Sequence, residues 1–99
     1  MRYMAPETEF EEERLYSPKN DMFSLGILLL EVVDKDLHEK WTDCDHGSKV
    51  YKKNLEDLRN DVMKVAHPLS PLIRDLLSYN PEDRPSAEQA ETRFLAALV

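Results

Sequence analysis

The apolar positions of this chain fall into four helical stretches, and the first of them has no polar face. Between about Ser17 and Val33, nine apolar residues (Met22, Phe23, Leu25, Ile27, Leu28, Leu29, Leu30, Val32 and Val33) cover almost every side of a helix. Ser17 suits an N-cap and Pro18 the first helical position, where a missing N–H costs nothing. A helix that is apolar all round is normally the buried centre of something larger, yet few residues remain here to surround it. The charged stretch Asp34 to Lys40 is expected to end it.

The second helix is expected from about Ser48 to Lys64, where Tyr51, Leu55, Leu58 and Val62 follow an i, i+4, i+7, i+11 pattern with a charged back. The third starts at Ser70-Pro71, read as a cap followed by proline. It places Leu72, Ile73, Leu76 and Leu77 on one side before Asn80-Pro81 breaks the chain. The fourth begins at Ser86, which forms an S-x-x-Q capping box with Gln89, and its inner stripe is expected to be Ala87, Ala90, Phe94 and Leu98. Sustained two-residue alternation and Asn-Gly or Asp-Gly turns do not occur, so the fold class is all-α.

Composition narrows the class. A length of 99 residues suits one domain, and 41% apolar content argues against wholesale disorder. Thirteen basic against twenty acidic residues give a net charge of −7, which disfavours nucleic acid and anionic membrane as partners. Acidity is densest at Glu7, Glu9, Glu11, Glu12 and Glu13, a pattern that reads as a solvated loop. The single cysteine, Cys44, leaves no internal disulfide framework. With no signal-peptide design at the N-terminus and no apolar run near the ~20 residues of a membrane span, the expected location is cytoplasmic.

Three segments, in order, resemble the protein kinase family. Tyr3-Met4-Ala5-Pro6-Glu7 is similar to the Ala-Pro-Glu segment that closes a kinase activation segment. Asp21 through Glu31 (Asp-Met-Phe-Ser-Leu-Gly and an apolar run) resembles the kinase helix F signature, and Asn80-Pro-Glu-Asp-Arg-Pro-Ser86 resembles the loop between helices H and I. The resemblance implies the helical lower part of a kinase C-terminal lobe over residues 1–99. It implies a buried ion pair between Glu7 and Arg84, with a guanidinium fork taking a carboxylate bidentately. It gives Asp21 the role of accepting backbone N–H bonds from a catalytic loop, although the plainer reading is a first-turn acid complementing the helix dipole. Leu28 and Val32 resemble positions that support the apolar column beneath adenine. Tyr3 and Met4 resemble the wall beside the residue after a phosphoacceptor.

Phosphoryl transfer needs a glycine-rich cover, a strand lysine, a catalytic aspartate and a metal-binding aspartate. Only Gly26 and Gly47 are present, and neither His-Arg-Asp nor Asp-Phe-Gly occurs. No residue here is therefore expected to be catalytic, cofactor-binding or metal-binding. ATP and magnesium are expected only for a complete kinase domain, and the chain alone is expected to be inactive. The implied partners are a protein substrate or the missing kinase half, with self-association through the exposed first helix. His38, Cys44 and His46, beside Asp43 and Asp45, fit no compact zinc spacing, and Ser24 and Ser70 show no partnered base.

The stretch Ser48 to Asp61 is further similar to helix G of the kinases that act on the alpha subunit of translation initiation factor 2. In that group the substrate docks on helix G, which makes Tyr51 and Leu55 substrate-side candidates. Asp43 and His46 stand where that group has its threonine and acidic docking residues. Two other readings stay open: a non-catalytic helical interaction module, and an unrelated helical adaptor.

Overall fold

The computed structural model describes residues 18–44, 46–47 and 49–98. Among them the chain forms five α-helices and one 3₁₀ turn, with no strand. None of these helices is long and apolar enough to cross a membrane.

Helix α1 spans Pro18–Val33 and buries Phe23, Gly26, Ile27 and Leu30 along one side. Ser17, the expected cap, lies outside the described residues. The other side of α1 is open, in keeping with the few residues left to surround it: Leu28 is 52% and Val32 79% exposed. Met22, Leu25 and Leu29 are only partly covered. Two apolar arcs therefore share α1, one packed inward and one open.

Helix α1 ends at Val33, where the charged stretch begins, as expected; the stretch then starts a second helix, α2, over Lys35–Asp43. Asp34 is its N-cap, with Oδ1 accepting from the Leu37 N–H at 3.1 Å. Such a cap satisfies a donor that the first turn would otherwise leave without an acceptor. His38 and Trp41, three residues apart, are the buried side of α2.

Helix α3 covers Tyr51–Lys64, starting three residues after the expected Ser48, which is not among the described residues. The Gly47 carbonyl accepts from Val50 N at 3.1 Å and Tyr51 N at 2.9 Å, closing the turn that leads in. Its stripe of Tyr51, Leu55, Leu58 and Val62 is buried as the spacing predicts. Helix α4 runs from Ser70 to Leu76. Ser70 is not its cap: it is the first helical residue, and its hydroxyl donates to the Val65 carbonyl at 2.9 Å. Leu72, Ile73, Leu76 and Leu77 are all buried.

A close approach of α1 and α4 sets the centre of the core. A Cβ added at Gly26 would stand 2.9 Å from Leu76 Cβ and 3.0 Å from Leu77 Cδ2, so only glycine fits there. After a 3₁₀ turn at Pro81–Asp83, helix α5 spans Ala87–Ala97. Ser86 and Gln89 form the full capping box, with Ser86 N donating to Gln89 Oε1 at 2.9 Å and Gln89 N to Ser86 Oγ at 3.2 Å. The expected inner stripe of α5 is only partly inside. Ala90 is buried and Phe94 half-buried, while Ala87 and Leu98 are exposed. The period is right, but much of the face it marks meets solvent.

Candidate functional site

Arg84 is the most buried cation of the described chain, at 2% exposure. Its guanidinium donates from Nε to the Ser78 carbonyl at 2.8 Å, from Nη1 to the Lys19 carbonyl at 3.0 Å, and from Nη2 to the Tyr79 carbonyl at 3.2 Å. The group also stands 4.9 Å from the centroid of the Phe23 ring, a cation–π distance. Lys19 returns the contact by donating from Nζ to the Arg84 carbonyl. A planar fork is suited to several acceptors at fixed angles, which a lysine ammonium cannot match.

Local sequence holds the arginine in place. Asn80 Oδ1 accepts from Glu82 N at 3.1 Å, fixing the 3₁₀ turn, and Arg84 N donates to the Pro81 carbonyl at 3.2 Å. This clamp joins the first turn of α1, the end of α4 and the approach to α5. Glu7, the carboxylate expected beside Arg84, lies outside the described residues, as do Tyr3 and Met4. Asp21 is exposed in the first turn of α1, where a carboxylate complements the helix dipole.

The two substrate-side candidates on α3 are core residues. Tyr51 is 1% and Leu55 0% exposed. The Tyr51 ring meets Trp41 edge-on at 5.4 Å and Tyr79 at 6.2 Å. Both side chains thus face the helical interior, and an external partner would meet Lys52, Lys53, Asp57 and Asn60 on the outer face instead. His46 is buried with its ring edge-on to Trp41 at 4.3 Å, while Asp43 is exposed. Cys44 Sγ donates to the Trp41 carbonyl at 3.1 Å and lies 4.0 Å from His46 Nε2. His38 Nε2 instead lies 3.8 Å from Glu31 Oε2 on α1. Among the described residues no three His, Cys, Asp or Glu side chains gather around a metal position.

Two ties were not expected from sequence. Arg59 of α3 donates to the Arg74 carbonyl at 3.0 Å, to Glu56 Oε1 at 2.8 Å and to Ser78 Oγ at 3.4 Å, linking α3 to α4. Asp75 of α4 accepts from Arg74 at 3.0 Å and from Arg93 of α5 at 2.8 Å. The backbone acceptor in the first tie, the Arg74 carbonyl, has no side-chain signature. The Arg59–Glu56 pair is legible as an i, i+3 spacing.

One concave feature is an apolar groove of about 350 Å³. Met22, Leu25 and Leu29 of α1 form one wall and Ala87 and Phe94 of α5 the other, with Leu72 of α4 and Ala90 of α5 also lining it. Glu91 stands at its edge. It is the open arc of α1, continued onto α5.

Comparison with known proteins agrees with this architecture. The protein kinase domain family matches residues 1–94. Probable serine/threonine-protein kinase 2 of Autographa californica nuclear polyhedrosis virus is 30% identical over 88 residues, covering 87% of this chain and 38% of the viral protein. Serine/threonine-protein kinase pim-2 of Danio rerio is 33% identical over 95 residues, covering 83% of this chain and 27% of that kinase. The G-type lectin S-receptor-like serine/threonine-protein kinase B120 of Arabidopsis thaliana is 40% identical over 48 residues, covering 48% of this chain and 5% of the receptor. The chain thus spans well under half the length of these relatives, and no solved structure matches it. With the Arg84 clamp, the α1 signature and the match over nearly all its length taken together, the chain belongs to the protein kinase domain family.

Proposed function

We propose that this chain is the C-terminal, substrate-side part of a serine/threonine protein kinase domain, running from the end of the activation segment through the last helices. The proposed activity is ATP-dependent phosphorylation of protein serine and threonine in the cytoplasm. It requires a catalytic half, on the same polypeptide or another, that holds ATP and magnesium. No residue of this chain is assigned to binding either. Glu7, Asp21 and Arg84 are architectural in this reading. Tyr3 and Met4 would stand beside the substrate.

The observation that carries the proposal is the second apolar arc of α1. Leu25, Leu28, Leu29 and Val32 lie at i, i+3, i+4 and i+7, a stripe in which Leu25 and Leu29 are half-buried and Leu28 and Val32 are exposed. A stripe of that kind in a protein kinase family chain is the natural seat of the catalytic half. The substrate proposal is narrower: similarity along Ser48 to Asp61 points to the alpha subunit of translation initiation factor 2. Docking would use the exposed face of α3 and Asp43, because Tyr51, Leu55 and His46 are buried.

The test is reconstitution. The glycine-rich loop through Asp-Phe-Gly half of a related serine/threonine kinase is supplied in trans or by fusion, and phosphate transfer to protein substrate is measured. The chain alone should transfer none and the combination should transfer. Leu28→Ser with Val32→Ser should abolish the gain while leaving the fold intact. Failure of both fused and separate halves to associate or transfer would sink the proposal. A non-catalytic interaction module is the alternative, and it predicts partner binding with no dependence on ATP.

A further inference from the structure

Between α2 and α3 lies a small recess of about 130 Å³, lined among the described residues by these two helices and the C-cap of α2 alone. Its charged residues already have counterions: Lys40 pairs with Asp61 at 3.5 Å and Asp57 with Lys53 at 3.3 Å. An uncharged occupant therefore suits it. A closed apolar cavity of about 150 Å³ takes benzene, so the space admits a molecule of about five or six non-hydrogen atoms.

Two side chains of its wall point to the chemistry of that occupant. Trp41 is 2% exposed, and its indole Nε1–H has no acceptor among the described residues. Buried donors are rarely left so, which makes an oxygen acceptor on the occupant the natural partner. The other is Cys44, half-buried and the chain's single cysteine. Its Sγ lies 4.0 Å from His46 Nε2, close enough for a proton to pass between them. His46 is 7% exposed and its ring stands edge-on to Trp41 at 4.3 Å, so a third group keeps the base in place. A partly exposed thiol beside a positioned imidazole is a nucleophile awaiting an electrophile.

We propose that Cys44 is a covalent modification site for small, uncharged α,β-unsaturated carbonyl compounds seated in the α2–α3 recess. The thiol, which at rest donates to the Trp41 carbonyl at 3.1 Å, passes its proton to His46 Nε2 as sulfur attacks the β-carbon. The S–C bond forms, the carbon–carbon π pair shifts toward the carbonyl, and the developing oxyanion accepts from the Trp41 indole N–H. His46 then returns the proton to the α-carbon, leaving a thioether that retains every atom of both reactants. No residue of the open α1 stripe takes part, so the site stands independently of the kinase reading.

Methyl vinyl ketone, an uncharged enone small enough for the recess, is the probe, and its addition to the full chain is followed by intact-mass spectrometry. Cys44→Ser sets the background from lysine and histidine adducts. The thiol should react about tenfold or more faster in the folded chain than in the same chain unfolded in urea, a comparison that needs no variant. Trp41→Phe keeps a ring against His46 but has no N–H. It should slow methyl vinyl ketone while leaving iodomethane, which has no oxygen to hold, unchanged. His46→Phe should slow both reagents, with the helical circular dichroism of each variant unchanged. A folded chain that reacts no faster than the unfolded one, a Trp41→Phe chain that slows both reagents alike, or a rate indifferent to His46 would each overturn the proposal.

Discussion

Lys19 and Arg84 each donate a side-chain hydrogen bond to the other's backbone carbonyl, across 65 residues of chain. The two cations stand side by side, each donating to the other's peptide oxygen, and the same guanidinium also reaches the Ser78 and Tyr79 carbonyls. The first turn of α1 and the loop before α5 are thereby fixed to each other by polar ties in addition to the hydrophobic core.

Replacing Arg84 should therefore be costly in a graded way. Arg84→Ala takes the donor from the buried Ser78 carbonyl and the part-buried Lys19 and Tyr79 carbonyls and should destabilise the chain by about 3–5 kcal/mol. Arg84→Lys keeps the charge but loses the fork, and should recover less than half of that. Urea denaturation followed by circular dichroism reads both; a loss within about 0.5 kcal/mol for Arg84→Ala would refute the clamp.

Gly26 should tolerate no side chain. Alanine is favoured over glycine by about 1 kcal/mol in a helix interior, so propensity alone predicts stabilisation of α1. The contacts at 2.9 Å and 3.0 Å with Leu76 and Leu77 predict the reverse, a net loss of about 1–3 kcal/mol as α1 and α4 are forced apart. The sign of the shift in the denaturation midpoint of Gly26→Ala decides between the two effects.

Binding studies on α3 should separate packing from docking. Tyr51→Ala and Leu55→Ala remove core side chains and should cost about 2–5 kcal/mol, so any loss of partner binding would follow loss of fold. Charge reversal at exposed Lys52 or Asp57 should change stability by no more than about 0.5 kcal/mol. If α3 docks substrate, those reversals weaken binding measured by calorimetry while the melting curve stays in place.

The capping box of α5 gives a local test. Ser86→Ala removes the acceptor for Gln89 N and should cost about 1 kcal/mol, whereas Ser86→Asp should retain most of that stability. Thermal melts of the two variants against the parent chain provide the comparison.

The capping box was legible because its chemistry is local, four residues long, and depends on no tertiary partner. The α3 stripe was legible for a related reason: four apolar residues at helical spacing with a charged back leave little choice. Helix α2 was missed because five of its nine residues are charged, which hides Asp34 as a cap and Trp41 as an anchor. Period alone placed Phe94 and Leu98 on one face of α5, but it could not say that this face meets solvent. Tyr51 illustrates the limit for the site: a spacing that marks the buried side of α3 cannot also mark a docking surface. The Arg84 clamp was half visible, since the motif drew attention to the arginine while its carbonyl acceptors carry no signature in sequence.

Trp41 is the chain's single tryptophan, and its ring is buried edge-on against His46 and Tyr51, where α2 meets α3. Its fluorescence is therefore a built-in optical reporter of one contact, α2 seated on α3, whereas circular dichroism averages over every helix. Coincident unfolding curves from the two signals would mean that the capped, highly charged α2 melts with the core as one cooperative unit. An earlier fluorescence transition would show α2 peeling away while α1, α3 and α4 stay folded.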